Sequence, residues 1–312
     1  MATVDLVLCG AGRMGRHHLR VAREHPRFRV VAIVDPALAG GALDGVPVVD
    51  SLTAVPPPFG AAIVATPIAT HHAIVRELLA RGAHVLVEKP LAGSVAECED
   101  LVAHAAAHAS GGARVAIGHV ERFNPAVRAL AQAVPRVGVV RRLSFVRVGT
   151  ARGGVRERSD VLLELAVHDL DLLERLGGRS SLRSSFVQSF RGDEVCDAAE
   201  LELVTASGAT ATVRVDACSA SRARTIRVEG TDGALDVDLL AGSVELSRGG
   251  ARQPLLADGP EPLRAQLDSF AAFLDGAPSE VCTVDEAARS VELALTARRL
   301  ASGRAARVEG RP

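Results

Sequence analysis

The stretch VDLVLCGAGRMG, residues 4–15, decides the fold of this chain. An apolar run predicts a buried strand, which leads through Gly-x-Gly-x-x-Gly into a helix predicted for residues 13–25. Gly10 permits a tight turn, Gly12 lets a pyrophosphate approach the backbone, and Gly15 lets the helix lie close to the sheet. The helix N-terminus offers free N–H groups and a partial positive charge to phosphates. The stretch therefore predicts a dinucleotide-binding site.

A second strand is predicted for residues 29–34, and Asp35 follows it twenty residues after Gly15. A carboxylate at this position can accept hydrogen bonds from an adenosine ribose, and it repels a 2′-phosphate. The pattern therefore predicts NAD as the cofactor rather than NADP. Asp35 also precedes Pro36, a position that is typical of a turn, and the two interpretations are compatible.

Length and charge limit the class of protein. With 312 residues, one or two domains with a substantial core are expected. The net charge of −1 and the lack of Trp and Tyr give no basis for nucleic-acid binding, so none is predicted. No apolar run approaches the roughly 20 residues of a membrane span, and no signal-peptide pattern precedes the first strand. We therefore expect a cytoplasmic protein without a membrane partner.

The five cysteines are dispersed, and no two of them form a Cys-x-x-Cys pair. This usage predicts reduced, mostly buried thiols. Neither the cysteines nor the histidines show the spacing of metal ligands, so no metal site is predicted. The cysteines are Cys9, Cys98, Cys196, Cys218 and Cys282.

Strands and helices alternate with short links through the first half of the chain, which is the pattern of a doubly wound parallel sheet. We predict an α/β fold whose N-terminal Rossmann domain covers residues 1–120. Residues 36–58 are interpreted as irregular because Gly-Gly and Pro-Pro-Pro interrupt them. The other predicted elements are strands at 61–65, 84–87 and 115–118, and helices that end near residues 81 and 109.

The second half changes character, because alternating apolar and polar residues are separated by turn signals. We predict a C-terminal α+β domain in residues 121–312, with an open and mostly antiparallel sheet. The predicted strands are 138–148, 182–190, 198–205, 209–217, 224–229 and 234–238, and the predicted helices are 161–176, 262–275 and 283–303.

Three polar stretches follow predicted strands of the first domain: Thr66-Pro67, Glu88-Lys89-Pro90 and residues 118–125. Ligands of open α/β sheets bind beyond the carboxyl ends of the strands, so these stretches are expected to line one crevice beside the dinucleotide. The proline after Lys89 stiffens the backbone there. A surface lysine in a turn is the alternative interpretation.

Histidines supply further candidates. Glu164 and His168 lie four residues apart on the helix predicted for 161–176, so they share a face, and a carboxylate there favours a charged imidazole. A simply packed His168 is the alternative. The neighbouring Asp169 and Asp171 are expected at a solvated helix face. His71 is expected to pack beside the cofactor, whereas His17 and His18 are expected at the surface.

Taken together, these motifs resemble the glucose–fructose oxidoreductase, inositol dehydrogenase and rhizopine catabolism (Gfo/Idh/MocA) family of NAD(P)-dependent oxidoreductases. The resemblance covers about residues 4–302 and includes residues 227–233, which are similar to a family hairpin. It implies a Rossmann domain joined to an open-sheet domain and the interconversion of a ring secondary alcohol and a ketone. It also implies a homodimer or homotetramer formed through the C-terminal sheet.

The resemblance also assigns roles by motif. Lys89 matches the lysine that touches the reacting oxygen, and His168 matches the general base. Most of the family has an aspartate four residues before this histidine, where this chain has Glu164, whose longer side chain can partner Lys89 or His168 or can point away from both. The implied cofactor contacts are Gly10, Gly12, Arg13, Met14, Gly15, Asp35, Thr66, Pro67, His71, Glu88 and Lys89.

Residues 118–125 resemble members that oxidise nucleotide-linked amino sugars at C3, with Arg122 and Asn124 beside Lys89 and His168 on the substrate side. A phosphorylated or nucleotide-linked sugar is the first hypothesis, because the arginines that follow can form forked contacts with phosphate. A solvated strand edge explains the same arginines equally well. They are Arg136, Arg141, Arg142, Arg147, Arg152, Arg156 and Arg158.

Three alternatives stay open at this point. The runner-up substrate is a free cyclitol such as inositol. The same fold also serves enzymes that keep NAD bound and use it without net redox change, and regulators that sense the cofactor without turnover. The presence of both Lys89 and His168 argues against a regulator, whereas Glu164 in place of aspartate argues mildly for one.

Overall fold

A computed structural model of the protein describes residues 2–150, 160–189 and 195–309. These residues form two compact units. The first lies within Met1–Val120 and Glu261–Ala288, and the second lies within Glu121–Pro260 and Arg289–Pro312. Each unit has a sheet and a core of its own.

Eight strands form the sheet of the first unit: β1 (Val4–Cys9), β2 (Phe28–Val34), β3 (Ala42–Leu43), β4 (Val46–Val49), β5 (Ala61–Val64), β6 (His84–Glu88), β7 (Val115–Gly118) and β16 (Cys282–Thr283). Their order is β16-β7-β6-β5-β1-β2-β4-β3. The pairs from β7 to β4 are parallel, and β16 and β3 add antiparallel edges. The order reverses at β1, which is the point where doubly wound sheets bind ligands.

The central strands are parallel because both of their faces are covered. All four residues of β5 are fully buried, which is the continuous apolar pattern of such a strand. The predicted capping box opens α3, where Ser94 Oγ accepts the N–H of Glu97 at 3.2 Å. The helices of the first unit are α1 (Arg13–Glu24), α2 (Ile68–Ala80), α3 (Val95–Ala109) and α6 (Pro262–Leu274).

The second unit also has an eight-stranded sheet, formed by β8 (Val140–Thr150), β9 (Ser180–Gln188), β10 (Ala198–Thr205), β11 (Thr210–Asp216), β12 (Cys218–Gly230), β13 (Ala234–Asp238), β14 (Ser243–Arg248) and β15 (Ala251–Leu255). Their order is β15-β14-β13-β12-β8-β11-β10-β9, and the pairs are antiparallel except for β8 with β11. The helices are α4 (Pro125–Ala133) and α5 (Val167–Gly177), and α7 (Val284–Glu309) begins in the first unit and ends in the second.

One face of the second sheet is buried and the other is open. Leu143 and Phe145 of β8 are fully buried, whereas Arg142 is exposed and Ser144 is half-buried. Because side chains alternate along a strand, one face packs beneath helices α4 and α5, and the other is not covered by any described helix. The predicted fold class, a doubly wound parallel sheet followed by an open antiparallel one, is confirmed.

The structure differs from the sequence prediction in several elements and in the division of the chain, and strand β16 is one of the unexpected elements. Residues 36–58 contain the short strands β3 and β4, and residues 243–255 contain β14 and β15, neither of which was expected. Helix α4 was also not expected. Residues 261–288 pack with the first unit, although the predicted division placed them in the second. In the described part of the chain, helices lack the length and apolar character needed to cross a membrane.

Candidate active site

The glycine loop of the first unit has the geometry that a dinucleotide needs. Gly10 has a φ of +91°, and a Cβ there would lie 2.6 Å from the carbonyl oxygen of Ala65. A Cβ at Gly15 would lie 2.0 Å from the carbonyl oxygen of Gly10, so α1 passes this close only without a side chain. Among the described residues, no atom approaches within 4 Å of the same position at Gly12. The loop therefore fits a pyrophosphate at the helix N-terminus.

Asp35 holds the glycine loop against the end of β2. Its Oδ2 accepts the N–H of Ala11 at 2.8 Å, and its Oδ1 accepts the N–H of Ala37 at 3.0 Å. The second bond confirms the predicted role in a turn. Arg13 and Met14 are the first two residues of α1, the former exposed and the latter half-buried. The predicted ribose contact of Asp35 stays a prediction.

His71 joins the loops that follow β5 and β6. The residue lies on α2 and is 1% exposed. Its Nε2 lies 2.9 Å from the carbonyl oxygen of Thr66, and its Nδ1 lies 2.9 Å from that of Pro90. Pro67 is exposed at the N-terminus of α2. One buried ring thus links two of the predicted cofactor loops through their main chains.

Lys89 follows a buried carboxylate at the end of β6. Oε1 of Glu88 lies 2.7 Å from Nε2 of His18, and Oε2 accepts the N–H of Lys89 at 3.3 Å. Burial opposes the charge of Glu88, but the hydrogen bond and charge of His18 and the charge of Lys89 hold its pKa below the usual value. Lys89 is half-buried. The expected surface position of His18 is wrong, because its ring is 2% exposed and pairs with Glu88.

Glu164 and His168 lie on a helical segment of the second unit that begins with a π-helical turn. The turn covers Leu162–Ala166 and continues directly into α5, and both side chains are half-buried. The main chain of Asp160 starts the segment, because its carbonyl oxygen accepts the N–H of Glu164 at 2.8 Å. The wider i→i+5 bonding of a π turn changes the rotation between Glu164 and His168. Their predicted shared face, derived from α-helical spacing, therefore stays a prediction.

Asp169 and Asp171 are buried, so their expected solvated position is wrong. Asp171 accepts two bonds from Arg122, at 2.8 and 2.5 Å, and both side chains are 2% exposed. Asp169 accepts bonds from Nε and Nη2 of Arg147 at 3.0 and 2.9 Å. Each buried aspartate is thus compensated by an arginine, which fixes the helix that carries His168. The substrate contact predicted for Arg122 stays a prediction.

Glu121 extends this buried network. Its Oε1 lies 2.9 Å from Nη1 of Arg147 and 3.6 Å from Nη1 of Arg224. Burial opposes its charge, but Arg147, a hydrogen bond from Asn124 and the charge of Arg224 keep the pKa of Glu121 below its usual value. Burial raises the pKa of Asp169 in spite of Arg147. Asn124 also caps α4 with its side-chain oxygen, and its substrate contact stays a prediction.

The predicted basic stretch does not form one site. Arg147 is buried in the network, whereas Arg141 and Arg142 are exposed and line a groove of about 690 Å³ at one end of the second sheet. Arg142 of β8 lies 3.3 Å from Glu229 of β12, but β8 is paired with β12 on one side and β11 on the other, so the strand edge expected for these arginines is wrong at Arg142. The groove also contains Arg227, Arg248 and Arg252, and Arg152, Arg156 and Arg158 lie outside the described residues.

The burial of two residues, His18 and Arg147, was not predicted from the sequence, and the structure shows why. His18 follows Gly15 by three residues, so it lies on the face of α1 that approaches the sheet. Arg147 alternates with Leu143 and Phe145 on β8, which places it on the buried face. Periodicity alone predicts a buried face for both positions. The charged partner that compensates the burial of each side chain, however, lies far away in the sequence.

The glycine loop at the N-terminus of α1 and the doubly wound sheet define a dinucleotide-binding protein. Residues 4–119 match the family model described as "Oxidoreductase family, NAD-binding Rossmann fold", and residues 147–236 match the C-terminal domain model of the same family. The chain belongs to the Gfo/Idh/MocA family. The predicted family, NAD cofactor and oxidoreductase class are confirmed.

Several relatives are similar along most of the chain. A UDP-N-acetylglucosamine 3-dehydrogenase from Acidithiobacillus ferrooxidans is 28% identical, over 78% of this chain and 76% of the relative. A solved structure with this name and species has a TM-score of 0.86 at 23% identity, over 97% of this chain and 99% of the other. An Amycolatopsis mediterranei protein named "Putative UDP-kanosamine synthase oxidoreductase subunit" is 33% identical over 75% of each chain. An inositol 2-dehydrogenase from Rhizobium meliloti is 25% identical, over 88% of this chain and 89% of the relative.

Proposed function

We propose that this protein is an NAD-dependent dehydrogenase that oxidises the C3 hydroxyl of a UDP-linked amino sugar, or reduces the corresponding ketone. The similarity to the UDP-N-acetylglucosamine 3-dehydrogenase is the observation that carries the proposal. The second relative, at 33% identity, is also named for a UDP-linked sugar. Residues 118–125, which resemble the C3-oxidising members, support the same substrate class.

In the proposed reaction, bound NAD would supply the hydride acceptor for the ring carbon. His168 takes the hydroxyl proton as general base, since the hydride leaves readily only as the oxygen gains negative charge. Lys89 orients that oxygen and stabilises the developing charge. Glu164 orients Lys89 or His168 in place of the aspartate found in most of the family. The glycine loop and Asp35 would hold the pyrophosphate and the adenosine ribose of bound NAD.

The test is NAD⁺ reduction followed at 340 nm with UDP-N-acetylglucosamine, glucose 6-phosphate, myo-inositol and glucose. We expect kcat/KM for the UDP-sugar to exceed that for the free sugars by about 100-fold or more, because phosphate contacts contribute to transition-state binding. Equal turnover of myo-inositol would contradict the proposed substrate.

A cyclitol is the second candidate substrate. The inositol 2-dehydrogenase from Rhizobium meliloti aligns with more of this chain than the UDP-sugar enzyme does, although at lower identity. A preference for myo-inositol in the same panel would establish this candidate. If no member turns over, NAD that survives gel filtration would indicate an enzyme that retains its cofactor, and NAD⁺ that exchanges freely would leave a substrate outside the panel or a regulator.

We also propose that the protein is a homodimer or homotetramer formed through the open face of its second sheet. Across β9, β10 and β11 this face carries Phe186, Glu200 and Arg214 side by side. Phe186 is 59% exposed, so a large apolar side chain stands on an uncovered face. Such a face is suited to a second copy, whose opposite charges can pair with it.

A further inference from the structure

His18 connects the phosphate end of the cofactor site with the strand end that carries Lys89. It lies on α1, the helix that begins directly after the glycine loop. Its Nε2 is 2.7 Å from Oε1 of Glu88, at the end of β6. Both residues are buried, at 2% and 7% exposure. A hydrogen bond between two buried side chains fixes the position of α1 relative to the end of β6.

The structure makes room for the Glu88 carboxylate. A Cβ at Gly118 of β7 would lie 3.1 Å from the carboxyl carbon of Glu88. Because Gly118 has no side chain, the Glu88 carboxylate can occupy the space beside it. The second carboxylate oxygen accepts the main-chain N–H of Lys89 at 3.3 Å. The position of the Lys89 main chain therefore depends on the position of Glu88.

We propose that His18 is a positioning residue of the cofactor site. It keeps Glu88 charged and fixed, and Glu88 in turn fixes the Lys89 main chain against the helix that receives the pyrophosphate. The inference rests on the proposed place of Lys89 in the active site. Its test uses NAD⁺ binding, so a failure of the proposed sugar chemistry does not affect the outcome.

The charge of Glu88 makes the inference specific. The groups that act on it are His18 from α1 and Lys89 from its own strand end, and β7 contributes Gly118, followed by the buried His119. Without the His18 donor, burial raises the pKa of Glu88. The carboxyl group is then neutral and tolerated at low pH, and as the pH rises it becomes a buried charge that has lost its side-chain hydrogen bond.

The experiment compares NAD⁺ affinity by titration calorimetry between pH 6 and pH 8.5. For His18→Leu we expect Kd to rise about tenfold or more at pH 8.5, and to rise less at pH 6. The double variant His18→Leu/Glu88→Gln has no charge to bury, so its Kd is expected to vary no more with pH than that of the wild type. His17→Leu, at an exposed neighbour on the same helix, is expected to leave Kd unchanged.

A wild-type Kd and pH profile in His18→Leu would overturn the proposal, and so would a weakening that is equal at all pH values. If His18→Leu does not fold, His18→Gln replaces it, because its amide can still donate to Glu88. A Kd within about threefold of the wild type at every pH would then support the proposal. A weakening of tenfold or more that does not change with pH would overturn it.

Discussion

At the scale of single residues, the Asp35 carboxylate takes part in one observed and one predicted interaction. It anchors the Ala11 N–H of the glycine loop, and it is predicted to meet the adenosine ribose. We expect Asp35→Ala to weaken NAD⁺ binding and to reduce the preference for NAD⁺ over NADP⁺ by about tenfold or more, since a charge that repels the 2′-phosphate is lost. Titration with both cofactors measures this.

Asp50→Ala is the matched control, because Asp50 is exposed just after the neighbouring strand β4. It is expected to leave both affinities unchanged. An unchanged cofactor ratio in Asp35→Ala would mean that the carboxylate serves the turn and the loop only.

His168 is the residue on which the proposed proton transfer depends. We expect His168→Ala to lower kcat by about 100-fold or more, as for a lost general base, with little change in the Kd for NAD⁺. Steady-state kinetics and titration separate the two effects. His17→Ala provides the control at an exposed position. A nearly normal kcat in His168→Ala would remove this histidine from the mechanism.

Glu164 tests how the chain replaces the aspartate of most family members. We expect Glu164→Asp to keep kcat within about threefold, because the charge is retained, and Glu164→Gln to lower it by about tenfold or more. Both variants are measured at saturating NAD⁺. Equal activity in the wild type and Glu164→Gln would show that the carboxylate has no part in the reaction.

At the scale of elements, the sequence predicts those helices and strands whose patterns are local. The buried run of β5 and the capping box of α3 carry their own signals. β15 carries none, because it is a short edge strand with four exposed residues and a proline. The π-helical turn before α5 also has no sequence signal. It includes Glu164, so the shared face that α-helical spacing predicts for Glu164 and His168 stays a prediction.

Long-range pairing accounts for the remaining differences. Arg147 and Asp169 are 22 residues apart, and His18 and Glu88 are 70 residues apart. Composition predicts each of these side chains at the surface when it is taken alone. Only the folded chain brings a compensating charge to it, so the buried network behind α5 could not be derived from sequence patterns. The glycine loop and Lys89, by contrast, are parts of contiguous motifs.

The buried network gives a prediction for the helix that carries His168. Arg147→Met leaves Asp169 without its partner in the core and is expected to lower the free energy of unfolding by about 3–5 kcal/mol. Arg142→Met changes an exposed arginine on the same strand and is expected to cost less than about 1 kcal/mol. Urea unfolding of both variants measures the difference.

The pH dependence of Arg147→Met has a definite sign. Burial already raises the pKa of Asp169, and loss of Arg147 raises it further. A carboxyl group with a raised pKa in the folded state is tolerated while it is protonated, and it destabilises the fold as the pH rises through that value. The deficit of Arg147→Met relative to the wild type is therefore expected to be larger at pH 7.5 than at pH 5. A deficit no larger than that of Arg142→Met would contradict the role of the network.

At the scale of the whole molecule, the open face of the second sheet carries the last prediction. If a second copy covers this face, light scattering should give two or four times the chain mass of 32.4 kDa. Phe186→Glu places a charge among Glu200 and the other open-face residues, and it should reduce the mass to that of one chain or, in a tetramer, of two. Leu256→Glu makes the same change at a residue that is 86% exposed outside the sheet, and it should leave the mass unchanged. An unaltered mass in Phe186→Glu, or a wild-type monomer, would show that the open face is not an interface between copies. An equal decrease of mass in Phe186→Glu and Leu256→Glu would indicate a general effect of the added charge on solubility.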